Sequence, residues 1–306
     1  MAKPFIKDSA PGGRGAADAR VSPILLVLVA ALLWSTGGLF IKATTLSAFE
    51  LSFGRSLLAA ATVAFFTRRE GFRVNAVTAA AAVLYAALLL LFVVATKLTT
   101  AANAIFLQYT APIYVLILEP LFYREKFCGR DLAVVVACVA GMSLFFVGKL
   151  RPDDVSGNVA ALGSGLCFAL FMLLLRHPRN AEVNRASSVI YGNLLLALLT
   201  APAFFSGPGF TLGAQDALIV AYLGVIQIGL AYTLFTLGIA RGVRSLDAGI
   251  VGYIEPVLNP VWVFLFIGER PSGWALVGGA VIIGAVALHT LGGVRKSSRD
   301  PQEQAT

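Results

Sequence analysis

Apolar residues dominate this chain in runs too long for a soluble helix, and each run is closed by a short polar connection. A helix needs about 20 mostly apolar residues to cross the hydrocarbon core of a bilayer. That rule gives ten spans, at residues 23–42, 48–67, 75–96, 101–123, 131–148, 157–176, 186–205, 215–239, 246–268 and 273–292. The connections carry charge, proline and glycine, as in "RREGFR", "KLRPDDVSG", "RHPRNAEVNR" and "GERPSG". The fold class expected from this pattern is an all-α integral membrane protein with ten transmembrane helices. The runs are rich in alanine and glycine, which lets helices approach closely in lipid.

Only 13% of the 306 residues are charged against 58% hydrophobic, which sets the chain apart from ordinary soluble domains. The charge that remains is placed unevenly. Most of the 24 basic residues fall before the first span, after the last one, or in the groups Arg68/Arg69/Arg73, Arg124/Lys126/Arg130, Arg176/Arg179/Arg185 and Arg241/Arg244. These positions share one side of the membrane if the spans alternate, so the positive-inside bias predicts two cytoplasmic termini in a bacterial inner membrane. The net charge of +8 is spread over that side, so nucleic acid is not an expected partner. Residues 1–22 read as a disordered cytoplasmic tail rather than a cleaved leader, because the apolar run after them outlasts a signal peptide's. Cys128, Cys138 and Cys167 have no metal or redox spacing, and His177 and His289 stand far apart. No metal, cofactor or enzymatic chemistry is therefore expected.

The chain repeats itself. "QYTAPIYVLILEPLFYREKFCG" (Gln108 to Gly129) aligns without a gap on "GYIEPVLNPVWVFLFIGERPSG" (Gly252 to Gly273). Tyr109 meets Tyr253, Pro112 meets Pro256, Glu125 meets Glu269 and Gly129 meets Gly273. The implied organisation is a first five-helix repeat at 23–148, an external linker at 149–156, a second repeat at 157–292 and a cytoplasmic tail at 293–306. Five is odd, so the second repeat starts on the opposite side from the first, and the two are inverted. Inverted repeats are the recurrent architecture of secondary transporters, with the substrate site near the midplane where the repeats meet.

The segments "ALLWSTGGLFIK", "AIFLQYTAPIYVLILEPLFYRE" and "AGIVGYIEPVLNPVWVFLFIGE" resemble the EamA-type transporters of the drug/metabolite transporter superfamily. The resemblance extends over residues 23–292, and within the family it is greatest to the bacterial aromatic amino-acid exporters. The first half departs from the family's "GE" pattern, with Arg124 before Glu125. The resemblance implies a carrier that exports small amphipathic metabolites, aromatic or other neutral amino acids foremost. It leaves open other cargoes of the superfamily, such as drugs and nucleosides, and a channel-like facilitator.

Candidate cavity residues are the aromatic and amide side chains inside spans, since buried hydroxyls and amides in hydrocarbon need partners. They are Trp34, Tyr85, Asn103, Tyr109, Phe168, Tyr191, Gln227, Tyr232, Tyr253, Glu255 and Asn259, with Gln108 and Asn193 of the same character. Glu255 sits about 14 Å along the ninth span at 1.5 Å per residue. It is either a cavity group for an amine or a proton, or a structural hydrogen-bonding residue; its recurrence across the resembled family favours the second. Asp247, Val251, Glu255, Asn259, Trp262 and Phe266 fall on one helical stripe, expected to face inward. Pro112, Pro256 and Pro260 are expected to kink their helices, as hinges or as fixed bends. Arg55 either snorkels to the outer interface, the favoured expectation, or pairs with a carboxylate in the cavity; Glu119 is expected to sit at the inner interface and Lys97 to anchor the outer side, and His289 receives no role. The expected partners are a small-molecule substrate, the lipid bilayer and, through Glu255, protons.

Overall fold

The computed structural model describes residues 22–124, 128–144, 147, 155–205, 213–267 and 272–299, with side chains for all of them except 102, 259, 260, 263, 267 and 292–299. The N-terminal tail, most of the linker between the repeats and the end of the C-terminal tail therefore lie outside the described residues. Helices and turns account for the structure among the described residues.

Among the described residues, eight helical stretches are long and apolar enough to cross a membrane: Pro23–Ala43, Ala48–Glu70, Ala76–Leu98, Asn103–Tyr123, Val155–Arg176, Ser187–Phe205, Ala214–Ala240 and Gly273–Leu291. The described parts of the two remaining expected spans are shorter or divided. The fifth is the 16-residue helix Gly129–Leu144. The ninth is divided into Ser245–Gly252 and Ile254–Ile267. The surface of the bundle is studded with exposed large apolar side chains such as Phe65, Leu198, Leu218, Leu265 and Leu288. Such a coat suits lipid as solvent, where helices already satisfy their own backbone groups.

Helix starts are chemically marked. Ser47 and Glu50 form a reciprocal capping box at the second span, with Ser47 N–H donating to Glu50 Oε2 at 2.8 Å and Glu50 N–H to Ser47 Oγ at 3.2 Å. Asn75 Oδ1 accepts from Thr78 N–H at the third, and Thr100 Oγ1 from Asn103 N–H at the fourth. Gly242, at φ 100, closes the eighth span. There Val243 N–H reaches back to Gly238 O at 3.2 Å, a Schellman-type closure that favours glycine.

The packing has an internal symmetry. Exchanging the repeats pairs the first span with the sixth, the second with the seventh, and so on. Under that exchange the main interfaces map onto one another. The third span packs on the sixth, and the eighth on the first. The seventh packs on the third, and the second on the eighth. The fourth packs on the sixth, and the ninth on the first. The second and seventh, fourth and ninth, and fifth and tenth pack as self-paired couples. All of these interfaces join one repeat to the other, so the repeats interleave around a common core.

Glycines make the closest approaches possible. A Cβ on Gly192 would lie 2.7 Å from Ala82 O and 2.6 Å from the Tyr85 ring. One on Gly165 would lie 2.7 Å from Gln108 O. The second case matters for the site, because Gln108 ends the first half of the broken fourth span.

Candidate functional site

Two breaks fall at corresponding places in the two repeats. The fourth span consists of Ala101–Gln108 and Ala111–Tyr123, interrupted at Tyr109 and Thr110. The ninth is interrupted at Tyr253. The prolines follow the breaks closely. Pro112 occupies the first turn of its half-helix, and Pro256 is the third residue of its own. A first-turn residue has no intrahelical use for its N–H, so proline costs little there. The expected kinks at Pro112 and Pro256 are thus restarts of a helix, a sharper device than a bend. The Pro260 side chain lies outside the described residues, as does that of Asn259.

The breaks meet each other. Tyr109 and Tyr253 are repeat mates, and their rings lie 5.5 Å apart between centroids. Tyr253 O–H donates to Tyr109 O at 3.1 Å, a carbonyl released by the interrupted helix. Tyr109 O–H donates to Glu255 Oε2 at 2.7 Å. All three residues are buried. Glu255 therefore ties the ninth span to the fourth across the junction of the repeats, so its hydrogen-bonding role is real. A buried carboxylate with one neutral donor is nonetheless under-solvated, because it has room for about four hydrogen bonds.

A second polar focus surrounds the break in the first span, between Pro23–Trp34 and Gly37–Ala43. Gln227 Nε2–H donates to Trp34 O at 3.5 Å, from the π-helical stretch Tyr222–Leu230 of the eighth span. Trp262 Nε1–H donates to Ser35 Oγ at 2.8 Å, and Thr36 Oγ1 and Tyr222 Oη share a hydrogen bond of 2.9 Å. An aromatic wall extends from this second focus. Trp34 lies against Tyr232 at 4.7 Å, Phe235 at 5.1 Å and Phe168 at 5.9 Å between centroids. Tyr232 continues to Tyr85 at 4.8 Å, whose hydroxyl accepts from Asn193 Nδ2 at 3.1 Å.

The remaining sequence candidates separate clearly. Trp34, Tyr85, Tyr109, Phe168, Gln227, Tyr232, Tyr253 and Glu255 belong to this central assembly. Asn103 does not: its Nδ2 donates to Thr99 Oγ1 at 3.2 Å, at the turn into the fourth span. Tyr191 does not either, because its hydroxyl donates to Phe72 O near the start of the seventh span. The inward stripe on the ninth span holds in its middle, where Val251 and Glu255 are buried and Trp262 reaches Ser35, and fails at its ends. Phe266 is 67% exposed, and Asp247 turns to His289 instead.

Arg55 is the largest correction. It is 1% exposed, with its Nη2 donating to Leu89 O at 3.2 Å and its Nε left without a partner. Snorkelling fails because Arg55 lies on the inward face of its helix, where Ser52 and Ser56 are also buried.

Polar side chains also tie the helix ends at both faces. On the face with the basic connections, Glu119 is 2% exposed and contacts Arg176 at 3.0 Å and Arg244 at 3.2 Å. Arg244 also lies 3.5 Å from Asp131, and His289 lies 2.8 Å from Asp247 and 3.8 Å from Asp131. Glu119 therefore lies at the helix ends of this face but as a buried hub, and His289 acquires a place in the same network. On the opposite face Asp216 accepts from Thr44 Oγ1 at 2.5 Å and Thr45 Oγ1 at 2.6 Å. Lys97 Nζ donates to Thr44 O there at 3.0 Å, in keeping with its expected anchoring role. The grouping of these ends requires successive helical segments to run in alternating directions.

Glu119→Gln tests the first network. Its arginines are 27% and 35% exposed, so the loss should fall below the 3–5 kcal/mol of a fully buried pair, at about 1–3 kcal/mol. The expected readouts are a lower melting temperature and faster maleimide labelling of a Leu116→Cys reporter one turn deeper. Unchanged labelling would show that the network does not hold that face shut.

The comparisons with known proteins agree with this architecture. The EamA-like transporter family matches twice, over residues 21–147 and 155–291, one match to each repeat. An "Uncharacterized transporter YwfM" of Bacillus subtilis (strain 168) is 29% identical over 261 residues, covering 82% of this chain and 88% of the relative. The "Threonine/homoserine exporter RhtA" of Escherichia coli (strain K12) is 27% identical, covering 68% of each chain. The "Aromatic amino acid exporter YddG" of Ancylobacter novellus is 23% identical, covering 64% of this chain and 69% of the relative. A solved crystal structure shares the fold, with a TM-score of 0.77 at 22% identity over 89% of this chain and 98% of the other. The duplicated match, the apolar spans and the exchange symmetry of their packing together make this multi-pass membrane protein a member of the EamA-like transporter family.

Proposed function

We propose that the protein is an alternating-access carrier that exports small amphipathic metabolites, aromatic or other neutral amino acids foremost, from a bacterial cytoplasm, with both termini on the cytoplasmic side. The observation that carries this reading is the buried assembly at the junction of the repeats. Aromatic rings, amide groups and isolated charges converge there from broken helices. Such a lining matches a solute with an apolar body and a compact polar head. It suits polyphosphorylated solutes poorly, because those need several deep cations, and Arg55 is the one buried basic side chain among the described residues. The names of the RhtA and YddG relatives point to the same substrate class.

Alternating access would then proceed by release of the polar ties at one face while those at the other hold, the repeats moving about the paired breaks at Tyr109 and Tyr253. No catalytic role is assigned to any residue. Uptake into proteoliposomes from a panel of amino acids, nucleosides and cationic drugs tests the reading. Aromatic or other neutral amino acids should be transported. Failure of all of them, with transport of another class, would overturn the substrate assignment. Repeating the assay under an imposed pH gradient addresses the energy source: a rate that changes in wild type and not in Glu255→Gln assigns proton coupling to Glu255, and an unchanged wild-type rate assigns facilitated diffusion.

A further inference from the structure

Arg55 and Glu255 are both buried ionisable residues, and neither has an ion-pair partner among the described residues. The Arg55 guanidinium rests on one backbone carbonyl, and Glu255 on one phenol. They stand at similar depth. Arg55 is about two turns in from Ala48, roughly 10 Å from one face, and Glu255 is roughly 15 Å in from Ser245 at the other. In a core of about 30 Å, both lie near the middle. The aromatic wall runs between them: Tyr85, one turn before the Leu89 that holds Arg55, lies 4.8 Å from Tyr232, and Tyr232 lies 4.7 Å from Trp34, next to the Ser35 reached by Trp262 on the half-helix of Glu255.

Burying an isolated charge in a membrane protein costs several kcal/mol, so such residues are retained where they meet a partner or a solute. A purely structural tie to Leu89 O does not need a guanidinium, since a neutral amide could make it. Orphaned polar atoms occur in the residues around it. Arg55 Nε, Ser52 Oγ and Ser56 Oγ lack partners on the second span, as do Asn193 Oδ1 behind Tyr85 and Trp34 Nε1 in the aromatic wall. Each buried unmet group costs about 1–3 kcal/mol, which a ligand bearing acceptors and donors would relieve.

We infer that Arg55 is the carboxylate-binding residue of the transport site, holding the α-carboxylate of an amino-acid substrate whose ammonium group faces Glu255 and whose side chain lies against Trp34 and Tyr232. The guanidinium fork matches a carboxylate in two parallel hydrogen bonds, which an amide or alcohol cannot reproduce. The charges of a zwitterion then neutralise both buried residues at once. The site would discriminate against amines and amides of similar shape by the cost of leaving Arg55 unmatched. This assignment rests on the amino-acid reading above and adds to it a specificity determinant.

The test compares binding of L-phenylalanine and L-phenylalaninamide to purified wild-type protein, Arg55→Gln and Arg55→Lys, with melting temperatures as a fold control. A site built to pair with a polar group rejects the analogue that lacks it, so wild type should prefer phenylalanine by at least about tenfold. Arg55→Gln should bind the two within about threefold of each other, and Arg55→Lys should keep part of the preference. A merely structural Arg55 would weaken both ligands equally. Equal binding of the two by wild type would overturn the assignment whether or not the variants fold, as would a preference that survives in Arg55→Gln. Wild type that binds neither ligand but transports another class of solute would instead overturn the amino-acid reading, and the Arg55 assignment with it.

Discussion

Glu255→Gln should insert and fold yet exchange substrate at least about tenfold more slowly than wild type, corresponding to about 1.4 kcal/mol or more of lost charge-assisted interaction. The substitution is chosen because glutamine keeps an oxygen that can accept from Tyr109, so it spares the tie between the fourth and ninth spans. Only the charge is removed. Tyr109→Phe is the converse change: it keeps the charge, removes the tie, and leaves the carboxylate without that phenolic donor. If Glu255 serves structure alone, Glu255→Gln should be near wild type and Tyr109→Phe the impaired variant, chiefly in melting temperature. If Glu255 also meets substrate or proton, Glu255→Gln should lose exchange at an unchanged melting temperature. Initial exchange rates in proteoliposomes and melting curves in detergent separate the two, and a wild-type rate in Glu255→Gln would exclude a transport role.

The second large effect is expected from mending the paired breaks. In Pro112→Ala/Pro256→Ala each new N–H can reach the carbonyl four residues back, Gln108 O in one half and Gly252 O in the other. Alanine is the best helix former and proline the worst, with about 3 kcal/mol between them in a helix interior. A continuous helix then competes with the broken one at both sites. The double variant should melt no lower than wild type but exchange substrate roughly five- to tenfold more slowly, because lid and hinge steps set turnover in many such systems. The Tyr253 hydroxyl would also lose its acceptor at Tyr109 O as the fourth span straightens. Wild-type exchange in the double variant would show that the breaks do not move during transport.

The sequence carried the architecture well because two signals there are local. Apolar run length marks a span regardless of its neighbours, and the shared Tyr and Pro of the two repeats mark the breaks. Facing was harder to read. Arg55 lies close enough to a helix end to snorkel, and only the rotation of its helix turns it into the core. The buried Ser52 and Ser56 beside it were the available clue, since lipid-facing positions seldom gather three polar residues. Glu119 looked interfacial by depth, but its partners Arg176 and Arg244 come from remote connections that no local pattern predicts. Asn103 and Tyr191 have the right chemistry for a cavity and spend it on helix ends. The stripe on the ninth span holds at Val251, Glu255 and Trp262 and fails at its ends, where Asp247 turns to His289 and Phe266 is exposed.

Counterflow tests the alternating-access account most directly. Proteoliposomes preloaded with unlabelled phenylalanine and diluted into a trace of labelled phenylalanine should accumulate label transiently above the outside concentration, because a carrier returns with a substrate from either side. Label that rises only to equilibrium, at a rate independent of the preload, would contradict a carrier and identify a pore.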